Sequence, residues 1–71
     1  MSRDICLQFA KKLKEIRKER SLSQESLALM CGIDRTYIGR IENLKRNPSL
    51  AILYKIAKGL GMKLSELLEI D

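Results

Sequence analysis

Histidine is absent from this chain, and only two of its 71 residues are cysteine. Without an imidazole, histidine-based acid–base or metal chemistry is excluded. Cys6 and Cys31 have no CxxC spacing and no third thiol, so they cannot assemble a zinc site. They are expected as small buried hydrophobes, and no cofactor is expected. With one phenylalanine, no Gly-rich phosphate loop and no carboxylate cluster, an enzyme is not expected either. No stretch approaches the ~20 apolar residues of a membrane span. The N-terminus, with Arg3 and Asp4, lacks the apolar core of a signal peptide, so a cytoplasmic protein is expected. No segment alternates apolar and polar residues for long enough to make a strand.

What is present is apolar and basic. Hydrophobic residues make up 45% of the chain, enough for one small domain, residues 1–71, near the lower size limit for a self-sufficient core. Fourteen Lys and Arg against nine Asp and Glu leave a net charge of +5, which favours a polyanionic partner. Much of that charge lies between Lys11 and Arg20. Glu15 and Glu19 permit i,i+4 pairing there, and an ordinary solvated helix face accounts for the run equally well.

Apolar spacing gives five helices. Ile5, Phe9, Leu13 and Ile16 recur at helical spacing, which predicts a first helix from about Asp4 to Arg20 with Lys11, Lys12, Lys14, Lys18 and Glu19 on its other faces. Ser21 and Leu22 break it, and Ser23 can cap a second helix that begins at Gln24. That helix turns Leu27, Ala28 and either Met30 or Cys31 inward and stops at Gly32. A third helix runs from about Arg35 to Glu42. After a loop from Leu44 to Pro48, Ser49 or Asn47 caps a fourth helix showing Leu50, Leu53, Ile56, Ala57 and Leu60, which ends at Gly61. Ser65 can cap a short fifth helix holding Leu67, Leu68 and Ile70.

The segment from Gln24 to Asn43 has the layout of a helix-turn-helix. Two helices crossing steeply need a small residue at the contact, and Ala28 supplies it. The chain must then reverse within a few residues, and Gly32 accepts the left-handed backbone this needs. Asp34 follows as an N-cap for the next helix. Ile38 and Ile41 turn that helix's inner face to the core, leaving Arg35, Thr36, Gly39 and Arg40 outward on nearly the same side. Such a row suits the major groove of DNA.

The residues Leu22-Ser23-Gln24-Glu25-Ser26-Leu27-Ala28, Gly32-Ile33-Asp34-Arg35-Thr36-Tyr37-Ile38, Asn47-Pro48-Ser49-Leu50 and Ile56-Ala57-Lys58-Gly59-Leu60-Gly61 resemble the phage repressor and Cro class, which includes the Xre-type bacterial regulators. Within it, Asp34 to Ile38 together with Arg46 to Ser49 is similar to the controller proteins of restriction–modification systems. The resemblance covers nearly the whole chain. It implies an all-α, compact five-helix, lambda-repressor-like DNA-binding domain. It also implies a regulator of its own operon and of the endonuclease gene. Gln24 and Ser23, at the start of the second helix, take the place of phosphate contacts. Arg35 and Thr36 open the recognition helix where base edges are read, and Arg40 is the second candidate reader. Arginine there can hold guanine by two hydrogen bonds. Tyr37 can pack its ring on the helix pair and offer its hydroxyl to a phosphate, and Arg46 and Asn47 are placed on the backbone beyond the groove. Arg17 and Glu42 take positions that form a partly buried ion pair across the class's core. Glu25 takes one where an acidic residue can touch RNA polymerase.

One recognition helix spans too few base pairs for specificity, so a homodimer on a palindromic site of double-stranded DNA is expected, with half-sites about 34 Å apart. The interface is expected at the end of the fourth helix and on the fifth, from Ile52, Met62, Leu64, Leu68 and Ile70. No small-molecule ligand is expected, because no effector domain is evident. The alternatives are a generic phage or plasmid repressor of the same class, or an antitoxin-like module whose helix-turn-helix binds a protein. The chain carries no tail of the kind that wraps a toxin, and a basic recognition helix would be wasted on an ordinary protein surface.

Overall fold

The computed structural model describes residues 3–70. Five α-helices follow one another: α1 (Arg3–Glu19), α2 (Gln24–Cys31), α3 (Arg35–Glu42), α4 (Leu50–Leu60) and α5 (Leu64–Leu67). No strand occurs among the described residues. α2 packs on both α3 and α4, α1 lies against α3, and α4 against α5.

Local chemistry sets most helix ends. Ser23 accepts the Ser26 N–H, Asp34 accepts the Thr36 N–H, and Ser49 accepts the Ile52 N–H, so each side-chain oxygen satisfies a donor that the first helical turn leaves free. Of the two residues considered for the α4 cap, Ser49 is the one that acts. At the other ends Gly32 and Gly61 adopt φ 67° and 68°, which lets the N–H groups of Ile33 and Met62 fold back to the carbonyls of Ala28 and Ala57. α5 departs from expectation. It begins at Leu64, and Ser65 lies inside it; the Glu66 carboxylate caps it by accepting the Lys63 N–H at 2.8 Å.

The core is built from Phe9, Leu13 and Ile16 of α1, Leu27, Ala28 and Cys31 of α2, Ile38 and Ile41 of α3, Leu53, Ile56, Ala57 and Leu60 of α4, and Leu67 of α5. Two inward assignments are corrected, and one open choice is settled. Cys6, not Ile5, begins the buried face of α1, followed by Phe9 and Ala10, because α1 rests on its neighbours about one residue further round than Ile5 requires; Ile5 is 43% exposed. On α2 it is Cys31 that turns inward, with Met30 outside. Leu50, in the first turn of α4, projects to solvent at 68% exposure. Both cysteines are buried free thiols.

Two basic residues, one within α1 and one just past its end, act at a distance. Arg20 donates to the Leu60 carbonyl at 2.6 Å, and Lys12 donates to the carbonyls of Glu66 and Glu69. Each places a cation on carbonyls at a helix C-terminal end, where the last turn leaves them without intrahelical partners. The i,i+4 pairs open to Glu15 and Glu19 do not close: the ion pairs within 4.0 Å among the described residues are Arg17–Glu42 and Arg35–Glu25.

Candidate nucleic-acid interface

α3 divides into two faces. Ile38, Ile41 and Glu42 are buried, whereas Arg35, Thr36 and Arg40 are exposed. Gly39 belongs to neither: it is half-buried beneath the Gln24 side chain, whose Oε1 would lie 3.5 Å from a Cβ at that position. The exposed arginines also sit on two flanks and not on one side. Five residues of α-helix rotate the chain by about 140° beyond a full turn. Arg40 accordingly borders a shallow surface depression with Asp34, Thr36, Tyr37 and Arg46. Arg35 points instead toward α2, where its Nη1 lies 3.7 Å from Glu25 Oε2.

What holds α3 at its angle is a buried ionic knot. Arg17 Nε and Nη2 each donate to one oxygen of Glu42 at 2.7 Å, a two-pronged pairing across 25 residues of chain. Arg17 Nη1 also donates to the Leu22 carbonyl, and Gln24 Nε2 donates to Glu42 Oε1 at 3.0 Å. Glu42 is 3% exposed, so its charge needs these partners. The hydrogen bond to Glu42 raises the Arg17 pKa; burial opposes it and the Coulombic attraction adds to it. Gln24 therefore stands at the N-terminus of α2 with one amide hydrogen bond committed inward. Ser23 is committed as well: its hydroxyl caps α2 and donates to Ser26 Oγ at 2.9 Å.

Beyond α3 the chain turns through Leu44 at φ 60°, closed by a hydrogen bond from Lys45 N–H to the Arg40 carbonyl at 2.8 Å. The loop then returns over Tyr37. The Arg46 guanidinium carbon lies 4.9 Å from the Tyr37 ring centroid, a cation–π distance, and the Tyr37 hydroxyl oxygen accepts the Ser49 N–H. Burial pushes the Tyr37 phenol upward, but the neighbouring Arg46 and the Ser49 N–H outweigh it, and the net shift is down. The Tyr37 hydroxyl is thus already engaged within the protein. Asn47, exposed in the same loop, accepts through Oδ1 from the Cys6 thiol of α1.

The result is a surface on which Thr36, Arg40 and Arg46 gather around Tyr37, with Arg35 on one flank and the α2 N-terminus beside it. Cationic and hydroxyl donors on a fixed framework suit an anionic, hydrogen-bond-accepting partner such as nucleic acid. No group of three or more His, Cys, Asp or Glu that could hold a metal occurs among the described residues.

The helix-turn-helix family model matches residues 13–67 of this chain. The control protein C.MunI of a Mycoplasma species is 57% identical over 65 residues, which span 90% of this chain and 88% of the relative. The crystal structure of the restriction–modification controller protein C.AhdI from Aeromonas hydrophila is similar with a TM-score of 0.82 at 40% identity, covering 87% of this chain and 94% of that one. The controller C.Esp1396I, solved as a tetramer in complex with its natural 35 base-pair operator, is similar with a TM-score of 0.80 at 36% identity, covering 90% of this chain and 88% of that one. By sequence and by structure, the chain belongs to the helix-turn-helix family, alongside the restriction–modification controller proteins.

Proposed function

We propose that this chain is a sequence-specific transcription regulator that binds a palindromic operator in double-stranded DNA as a homodimer and controls its own restriction–modification operon. One observation carries the reading: α3 is locked to the core by Ile38, Ile41 and the Arg17–Glu42 knot, and it offers Arg35, Thr36 and Arg40 outward. A recognition helix needs a rigid mount, because base edges discriminate by hydrogen-bond geometry. The operator complex of C.Esp1396I supports the same reading by likeness.

In this reading Arg35 and Arg40 read base edges from the two flanks of α3, and Thr36 between them meets a thymine methyl or a phosphate. The α2 N-terminus with Gln24 and Ser23, the Tyr37 edge, and the loop residues Arg46 and Asn47 hold the backbone. Where Ser23 and Tyr37 have committed their hydroxyls, backbone N–H groups at the helix start and the Arg46 guanidinium are the available donors. The protein acts without catalysis, cofactor or small-molecule effector, in the cytoplasm at the nucleoid. Glu25, exposed in the first turn of α2 and 3.7 Å from Arg35, is in this reading the surface offered to RNA polymerase.

The test is an anisotropy titration against the DNA upstream of the protein's own gene, at two salt concentrations with unrelated duplex as competitor. Wild type is expected to bind tightly and resist competitor. Arg35→Ala is expected to lose about 1–3 kcal/mol per half-site. Binding that collapses with salt, yields to competitor and ignores Arg35 would reduce the protein to a non-specific polycation.

A further inference from the structure

We propose that Cys6 is a positioning residue for DNA binding: its thiol holds the Asn47 side chain so that the amide hydrogens face a backbone phosphate. The inference rests on the DNA-binding reading above, which places Asn47 on the backbone.

The Cys6 thiol lies on the buried face of α1, 41 residues away in sequence, and it donates to Asn47 Oδ1 at 2.8 Å. A carboxamide is planar, with one acceptor and two donors on opposite ends. With the oxygen drawn toward α1, the NH₂ group is directed away from it, and Asn47 is an exposed residue. The thiol therefore selects which end of the amide meets solvent.

The loop around Asn47 is already fixed on both sides. Upstream, the Lys45 N–H closes onto the Arg40 carbonyl through the left-handed turn at Leu44. Downstream, Pro48 is buried, and the Ser49 N–H donates to the Tyr37 hydroxyl oxygen. The backbone of the loop thus has little freedom, and the Asn47 side-chain torsions are what remain. A hydrogen bond from the core removes them. Donors held in place before binding lose less freedom when they meet a phosphate, and such contacts fix the register of a protein on the duplex.

Filling the core would need only a small apolar group at Cys6, whereas positioning Asn47 needs a donor. Serine keeps a donor and alanine does not, so the two substitutions separate the roles. The experiment scans the upstream operator with single methylphosphonate substitutions, using wild type, Cys6→Ala, Cys6→Ser, Asn47→Ala and the Cys6→Ala/Asn47→Ala double variant. Thermal unfolding confirms that each variant is folded. Wild type is expected to lose affinity at one phosphate per half-site that becomes silent in Cys6→Ala and in Asn47→Ala and is retained in Cys6→Ser. On unmodified operator, Cys6→Ala and Asn47→Ala each weaken binding about two- to tenfold, and the double variant weakens it no further than either. The salt dependence stays unchanged, because the amide is uncharged.

Two results overturn the proposal while leaving the DNA-binding reading intact. In one, operator-specific wild type and Cys6→Ala bind alike. In the other, Cys6→Ala weakens binding as much in the Asn47→Ala background as alone. Wild type that shows no preference for the operator overturns both.

Discussion

At Gly59 the absence of a side chain is a packing requirement. A Cβ there would fall 2.5 Å from Cys31 Sγ, 2.9 Å from Cys31 Cα and 3.1 Å from the Met30 carbonyl oxygen, so the α2 backbone itself stands in the way. Alanine gains up to about 1 kcal/mol of helix propensity, while overpacking typically costs 1–3 kcal/mol. Because the obstacle is backbone, Gly59→Ala is expected to lower the melting temperature. Gly39→Ala, whose Cβ meets only the Gln24 amide at 3.5 Å, is expected to leave it unchanged or raise it. Melting curves of the two side by side decide the matter. Cys31 offers a second test. Burial pushes its thiol above the ordinary 9.0. As pH rises past that value the unfolded chain releases its thiol proton before the folded one does. The thiol's contribution to stability is therefore complete below pH 9.0 and declines above it. Urea unfolding should show the gap between wild type and Cys31→Ala narrowing as pH climbs above that value, by at most about 1.4 kcal/mol per pH unit.

At the scale of helices, the chain depends on contacts between element ends. Arg17 of α1 grips Glu42 in the last turn of α3, Gln24 at the start of α2 joins them, and Arg20 and Lys12 close the ends of α4 and α5. These links are few, and one of them is buried. Removing the Glu42 carboxylate would strand Arg17 opposite an apolar gap and free the Gln24 amide. Glu42→Ala is expected to lose about 3–5 kcal/mol of unfolding free energy by chemical denaturation. Such a loss is a large share of the stability of a small domain. A Glu42→Ala protein that unfolds at the wild-type denaturant concentration would mean that the ion pair carries little weight.

Taken as a whole, the molecule measures 27 × 23 × 22 Å, so two abutting copies have space to set their α3 helices near the ~34 Å of one DNA turn. The homodimer remains a proposal, and the structure changes which residues would carry it. Ile52, Met62 and Leu64 are half-buried and pack against the core of their own chain, and Ile70 is half-buried as well. Leu68 is 38% exposed and is the residue of that group most available to a second copy. Sedimentation at micromolar concentration is expected to give about twice the 8.2 kDa chain mass, and Leu68→Glu to return it to the monomer. A wild type that sediments as a monomer with and without operator would remove the dimer.

Sequence alone determined what is decided within a few residues of chain. The caps at Ser23 and Asp34, the narrowing of the α4 cap to Asn47 or Ser49, and the left-handed ends at Gly32 and Gly61 are local, because each satisfies backbone groups only a few residues away. The helix count and the split of α3 into inner and outer faces follow from periodicity for the same reason. Resemblance, not spacing, pointed to the pairing of Arg17 with Glu42. Tertiary structure decided the rest. Whether Ile5 or Cys6, or Met30 or Cys31, faces inward depends on where a neighbouring helix touches, and residues adjacent in sequence differ by only about 100° around the axis. The commitment of the Ser23 and Tyr37 hydroxyls, the turn of Arg35 toward Glu25, and the grip of Cys6 on Asn47 join groups brought together by packing. No local pattern encodes a hydrogen bond across 41 residues, because its geometry exists only once α1 and the loop after α3 have been set against the same core.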